Sequence, residues 1–225
     1  MTTDRTALSR RAFLGLTASG LAVAGLGACS LQQAASPDES KDPSASAGWA
    51  GQLIDPPMTK PDVTFTTMDG EEFPFVERTA GTFSMLFFGY TNCPDVCPVF
   101  LRTISRSIQA IGSGPGSDVQ VYFVGVDVAR DTPEQLKTYL GRIDPSFIGL
   151  TGSEDVIAAA NAHLKMPPIT IEDDVDGDGV YEVGHGKQAW PFTRDDVAHR
   201  MYPSDEVRQQ QWVRDLPKLS KGEYR

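Results

Sequence analysis

The chain has 225 residues, 30 acidic side chains against 20 Lys and Arg, and a formal charge of −10. No run of basic residues is available to neutralise phosphates, which argues against nucleic acid as a partner. A hydrophobic share of 40% at this length supports one core and one main domain.

Residues 9–14 read Ser-Arg-Arg-Ala-Phe-Leu, a twin-arginine pattern. They precede an apolar run, 13–28, that is short and rich in Gly and Ala, as an export signal is and a membrane span is not. The run closes on Leu26-Gly27-Ala28-Cys29, which resembles the lipobox of bacterial lipoproteins, where the cysteine becomes the lipidated first residue of the mature chain. Loss of residues 1–28 removes Arg5, Arg10, Arg11 and Asp4 and leaves a formal charge of −12. The expected location is the extracytoplasmic face of the cell membrane, with Cys29 as a lipid anchor. Residues 29–50 are rich in Ser, Ala, Pro and charge, with too little apolar surface to offset ordering entropy, and read as a flexible tether. The folded domain is assigned to 51–225, with order beginning near Trp49.

Residues 63–67 and 73–76 flank Met68-Asp69-Gly70-Glu71, and Asp-Gly between apolar runs predicts a β-hairpin. The unbroken apolar run 83–90 predicts a strand covered on both faces. Over 96–111, Phe100, Ile104, Ile108 and Ile111 share one helical face. Residues 119–128 form another buried strand, and Thr132-Pro133 opens a helix with Thr as N-cap and Pro at its first position. Residues 147–150 read as extended, 154–165 as helical and 169–171 as extended. Segments 180–183 and 197–202 are strand-like, and a helix is expected over 204–216. Alternating strands and helices call for an α/β fold with parallel strands, and the late strand pair suits an antiparallel half of the same sheet.

Chemistry concentrates at Cys93 and Cys97, which open the helix that follows the buried strand. Unpaired backbone N–H groups and the positive end of the helix dipole favour a thiolate there. Three intervening residues allow either a disulfide or a soft metal site, and Pro94 and Pro98 stiffen the loop. A purely structural staple fits poorly, since so small a loop closes little chain entropy. His185, between Gly184 and Gly186, is a third candidate ligand, whereas His163 and His199 read as structural or solvent-facing. Asp131 and Thr132 suit a turn and a helix cap, so Asp127 and Asp131 read chiefly as structural, with a possible influence on a nearby metal. The run 174–179 begins like a calcium loop, but its twelfth position is His185 where a glutamate is needed, so a solvated acidic turn is expected.

Three passages resemble the Sco/SenC family of thioredoxin-like copper proteins of cytochrome c oxidase assembly: residues 87–98 around the two cysteines, Val126-Asp127-Val128-Ala129-Arg130-Asp131-Thr132-Pro133, and Tyr181-Glu182-Val183-Gly184-His185. The resemblance implies a thioredoxin-like fold, a central mixed sheet flanked by helices with an N-terminal β-hairpin. It implies copper held by Cys93, Cys97 and His185, and a partner that is the copper-bearing oxidase subunit or another copper chaperone. The glycine on each side of His185 departs from the family, which usually has Asp before it and a small polar residue after it. A metallochaperone or thiol reductant is the leading reading. The alternatives are a thiol-disulfide oxidoreductase or peroxiredoxin-like enzyme, or a redox or copper sensor.

Overall fold

The computed structural model describes residues 48–172 and 181–225, and all of them belong to one unit. After Trp49, β1 (Gln52–Thr59) runs along an edge, and β2 (Thr64–Thr67) and β3 (Glu72–Pro74) form the expected hairpin with Phe65 opposite Phe73. Gly70, at φ 82°, makes the turn, and its N–H donates to the Thr67 carbonyl. Where the sequence predicts strand to 76, the chain coils from Phe75 into a single turn, α1 (Phe75–Arg78).

There follow β4 (Ser84–Gly89), α2 (Val96–Ile111), β5 (Gln120–Gly125), α3 (Pro133–Gly141), β6 (Ile148–Thr151) and α4 (Glu154–His163). Thr132 caps α3, accepting from the Gln135 N–H, with Pro133 at the first turn as its sequence requires. Ser153 caps α4 in the same way. The last elements are β7 (Thr170–Ile171), β8 (Val183–Gly184), β9 (Gln188–Phe192), β10 (Val197–Pro203) and α5 (Gln209–Ser220).

Eight strands form one sheet in the order β1-β10-β9-β4-β5-β6-β2-β3, parallel across β4, β5 and β6 and antiparallel elsewhere. Every residue of β4 is buried, as an unbroken apolar run requires. Met85 and Phe87, with Val121 and Phe123 of β5, face α2, α3 and α5. Leu86 and Phe88, with Tyr122 and Val124, face α1, α4 and the hairpin aromatics. Each buried Phe or Leu of these two layers contributes roughly 1.5–3 kcal/mol.

Two expectations need correction. The strand expected at 180–183 does not join the central sheet, because β8 pairs with β7 in a separate two-stranded ribbon. The antiparallel half is built instead from β9, β10 and β1. Helix α5 begins five residues later than expected, because the Ser204 N–H donates to the Lys187 carbonyl and Arg208, not Ser204, is the N-cap. Trp49 is buried, with Arg200 and Lys218 over its ring at 4.3 and 4.7 Å. Among the described residues no helix is long and apolar enough to cross a membrane. The export pattern, Cys29 and the run 174–179 lie outside the described residues.

Candidate metal centre

Strand β4 carries the chain to the loop 90–95, and α2 starts at Val96. Asp95, the N-cap of α2, makes no side-chain cap bond, which leaves the first N–H groups of the helix for other acceptors. One of them, on Cys97, donates to Cys93 Sγ at 3.4 Å. Both cysteines are free thiols; Cys93 is half-buried and Cys97 has no exposed surface.

The two sulfurs differ in acidity. Cys93 is lowered to about 5, first by the Cys97 S–H donating to it, then by the backbone N–H groups of Cys97 and Asp95 and by His185, with burial opposing. Cys97 is pushed well above the ordinary thiol range by that same hydrogen bond, by burial and by the charge of Cys93. At neutral pH the pair is therefore one half-buried thiolate and one fully buried thiol.

Cys93, Tyr90, Pro94, Val96 and His185 share a pocket of about 260 Å³, with Glu172, Glu182 and Lys187 also on its wall. Burial lowers the His185 pKa, so the ring is neutral at pH 7. Its Nδ1 lies 2.8 Å from the Gly186 carbonyl, which can only accept. Nδ1 therefore carries the proton and Nε2 keeps its lone pair. The ring also meets Tyr90 edge to face, at 5.8 Å between centroids.

The flanking glycines have a steric reason. A Cβ at Gly184 would stand 2.5 Å from Thr170 Oγ1, and one at Gly186 would stand 2.6 Å from Gln188 Oε1 and 3.0 Å from Met166. A side chain at either position would therefore require the Thr170 hydroxyl or the Gln188 amide to move.

The structure thus brings Cys93 and Cys97 together and places His185 on the wall of the pocket that Cys93 lines, with Cys97 buried behind it. It does not gather the three into a closed site: among the described residues no three His, Cys, Asp or Glu side chains stand close enough to hold a metal. The donor chemistry nevertheless fits a soft ion such as copper(I), which selects thiolate and accepts imidazole. Cys97 would lose its proton on binding.

The other sequence candidates lie apart. His163 Nε2 is 2.9 Å from the Thr59 carbonyl, and His199 pairs with Asp195 at 2.7 Å and stacks on Tyr224. Asp127 and Asp131 are fully buried and do not line the pocket. Asp131 instead holds the cysteine loop, its Oδ1 accepting from the Thr91 N–H at 2.9 Å and the Thr91 hydroxyl at 2.7 Å. The expectation of a chiefly structural role agrees with this. Tyr90 and Tyr181 were missed, because an aromatic residue beside a motif carries no periodic signal that separates it from core.

Yeast mitochondrial SCO1 is 34% identical over 132 residues, which cover 57% of this chain and 43% of that protein. The chain spans 57%, 34% and 43% of the lengths of three curated relatives, one from Stutzerimonas stutzeri and two from yeast. Among solved structures, Bradyrhizobium japonicum ScoI with copper bound is 28% identical with a TM-score of 0.62, covering 72% of this chain and 99% of that one. Yeast Sco1 with copper bound is 28% identical with a TM-score of 0.65, covering 74% and 90%. These likenesses bear out the thioredoxin-like α/β fold. Residues 53–221 match the sequence model of SCO1/SenC, and the chain belongs to that family.

Proposed function

We propose that this protein carries copper for assembly of the copper centre of cytochrome c oxidase, holding the ion through Cys93, Cys97 and His185. The observation that carries the reading is geometric: Cys93, held by Cys97 at the start of α2, shares one open pocket with the His185 imidazole. Copper-bound relatives of the same fold support it. An open pocket suits cargo, since the ion must leave by ligand exchange with the thiolates of a partner.

The acidity split also favours a second reading, reduction of a partner disulfide. Cys93 thiolate would attack one partner sulfur and release the other as a thiolate. Cys97, giving up its proton, would then attack Cys93 Sγ and free the second partner sulfur, so that two electrons pass to the partner and a Cys93–Cys97 disulfide remains. One molecule cannot hold copper and that disulfide together. Attachment to the outer face of the cell membrane through a lipid on Cys29 belongs to the same proposal. Mass spectrometry of membrane-extracted protein tests it, and an unmodified Met1 terminus would overturn it.

Titration of the reduced protein with copper(I), beside Cys93→Ser, Cys97→Ser and His185→Ala, tests the main reading. One ion per chain is expected, with weakened binding in each variant. Tight one-to-one binding retained by all three would refute the site. Disulfide-exchange rates on the same set separate the roles, because His185→Ala should impair copper binding and spare exchange.

A further inference from the structure

Asp131 holds the cysteine loop through Thr91, and the same turn holds the strand that leads to His185. Asp131 Oδ2 accepts from the Asp127 N–H at 3.1 Å, and Asp127 Oδ1 accepts from the Tyr181 hydroxyl at 2.9 Å. Arg130 pairs with Asp127 through Nε and returns twice to the same tyrosine. Its Nη2 donates to the Tyr181 carbonyl at 3.2 Å, and its guanidinium lies 3.5 Å from the ring centroid. Tyr181 precedes His185 by four residues. Tyr90, next to Thr91, meets the His185 ring edge to face, at 5.8 Å between centroids.

Two consecutive residues before the cysteines thus reach the histidine segment, Tyr90 at the His185 ring itself and Thr91 through a buried carboxylate pair to Tyr181. We infer that Asp127, Arg130 and Tyr181 are positioning residues, a clamp that sets where His185 stands relative to the two sulfurs. No side chain adjacent to His185 can do this, since both neighbours are glycine. Among the described residues the ring's one polar anchor is the Gly186 backbone, so its orientation follows the backbone path. That path is pinned at one end by Tyr181 and alongside by β7, just past which the Glu172 N–H donates to the Glu182 carbonyl. Groups that orient a ligand in this indirect way typically change metal affinity about 10–100-fold when removed.

The clamp rests on His185 being a copper ligand, and the experiment separates the two claims. Tyr181→Phe removes only the hydroxyl and keeps the ring under Arg130; Arg130→Gln removes the stacked charge. Copper(I) affinity is measured by competition for both variants, in the native and the His185→Ala backgrounds. The metal-free proteins are compared by nitrogen NMR of the His185 imidazole.

Each variant is expected to weaken copper about 10-fold with His185 present and not at all with His185→Ala, a difference that isolates coupling to that residue. The His185 ring signals should move in metal-free Tyr181→Phe. Unchanged affinity with His185 present, or an equal loss in both backgrounds, would overturn the clamp while leaving His185 as a ligand. Unchanged affinity in His185→Ala alone would overturn the ligand assignment, and the clamp with it.

Discussion

Replacement of Cys97 by Ala isolates what makes Cys93 acidic. The change deletes the S–H donor, first among the causes, and leaves the backbone N–H groups of residues 97 and 95 in place. With a midpoint near 5, Cys93 is about 90% thiolate at pH 6, whereas a thiol at the ordinary 9.0 would be about 0.1% thiolate. The more acidic thiolate is intrinsically weaker, by about 60-fold for a Brønsted slope of about 0.45, so the net advantage at pH 6 is about 15-fold. The assay is the pH dependence of iodoacetamide labelling of the reduced protein, read by mass spectrometry at Cys93. The native midpoint should lie near 5. Because the lost hydrogen bond stabilised the charged form, the midpoint in Cys97→Ala should rise by more than about one pH unit, and labelling at pH 6 should slow by up to about 15-fold. A midpoint unmoved by the substitution would show that the helix-start N–H groups alone hold the charge, and would refute the reasoning.

Asp131→Asn should destabilise the fold by about 2–4 kcal/mol, since a carboxylate with three donors becomes an amide that turns an N–H toward one of them. Urea unfolding measures this, and a loss below about 0.5 kcal/mol would show that Asp131 does not hold the loop. Trp212 is fully buried against Phe100 and Tyr202, and its indole N–H has no partner among the described residues. Trp212→Ala should therefore cost about 3–5 kcal/mol and Trp212→Phe clearly less, because the ring and not the N–H carries the energy. Equal losses in the two would contradict that division.

Elements with a strong local pattern were legible. Helix α2 occupies the residues its apolar spacing predicts, the hairpin turns at Asp69-Gly70, and Thr132 caps α3. Strands β1 and β9 were not foreseen, and both contain proline, which ordinarily argues against a ladder. Strand β1 tolerates Pro56 and Pro57 because it is an edge with a register shift between Leu53 and Met58. Strand β9 tolerates Pro191 because its ladder with β10 covers only Gln188 and Ala189. Those permissions depend on where a neighbouring strand stops, which no local pattern encodes.

The candidate site divides along the same line. Residue order alone places two thiols at a helix start, where unpaired N–H groups favour a thiolate, and marks His185 as the histidine worth testing. Only the tertiary structure decides that Cys93 and not Cys97 is the thiolate, because that depends on which sulfur is buried and which receives the hydrogen bond. Only the fold, too, brings Thr170, Met166 and Gln188 against the glycines beside His185. It also joins Thr91 to Tyr181 through Asp131 and Asp127, residues that lie 40 and 54 positions from their partners. Local sequence determines propensity and protonation tendencies within a turn or two of chain; contacts across such separations exist only once the strands have paired.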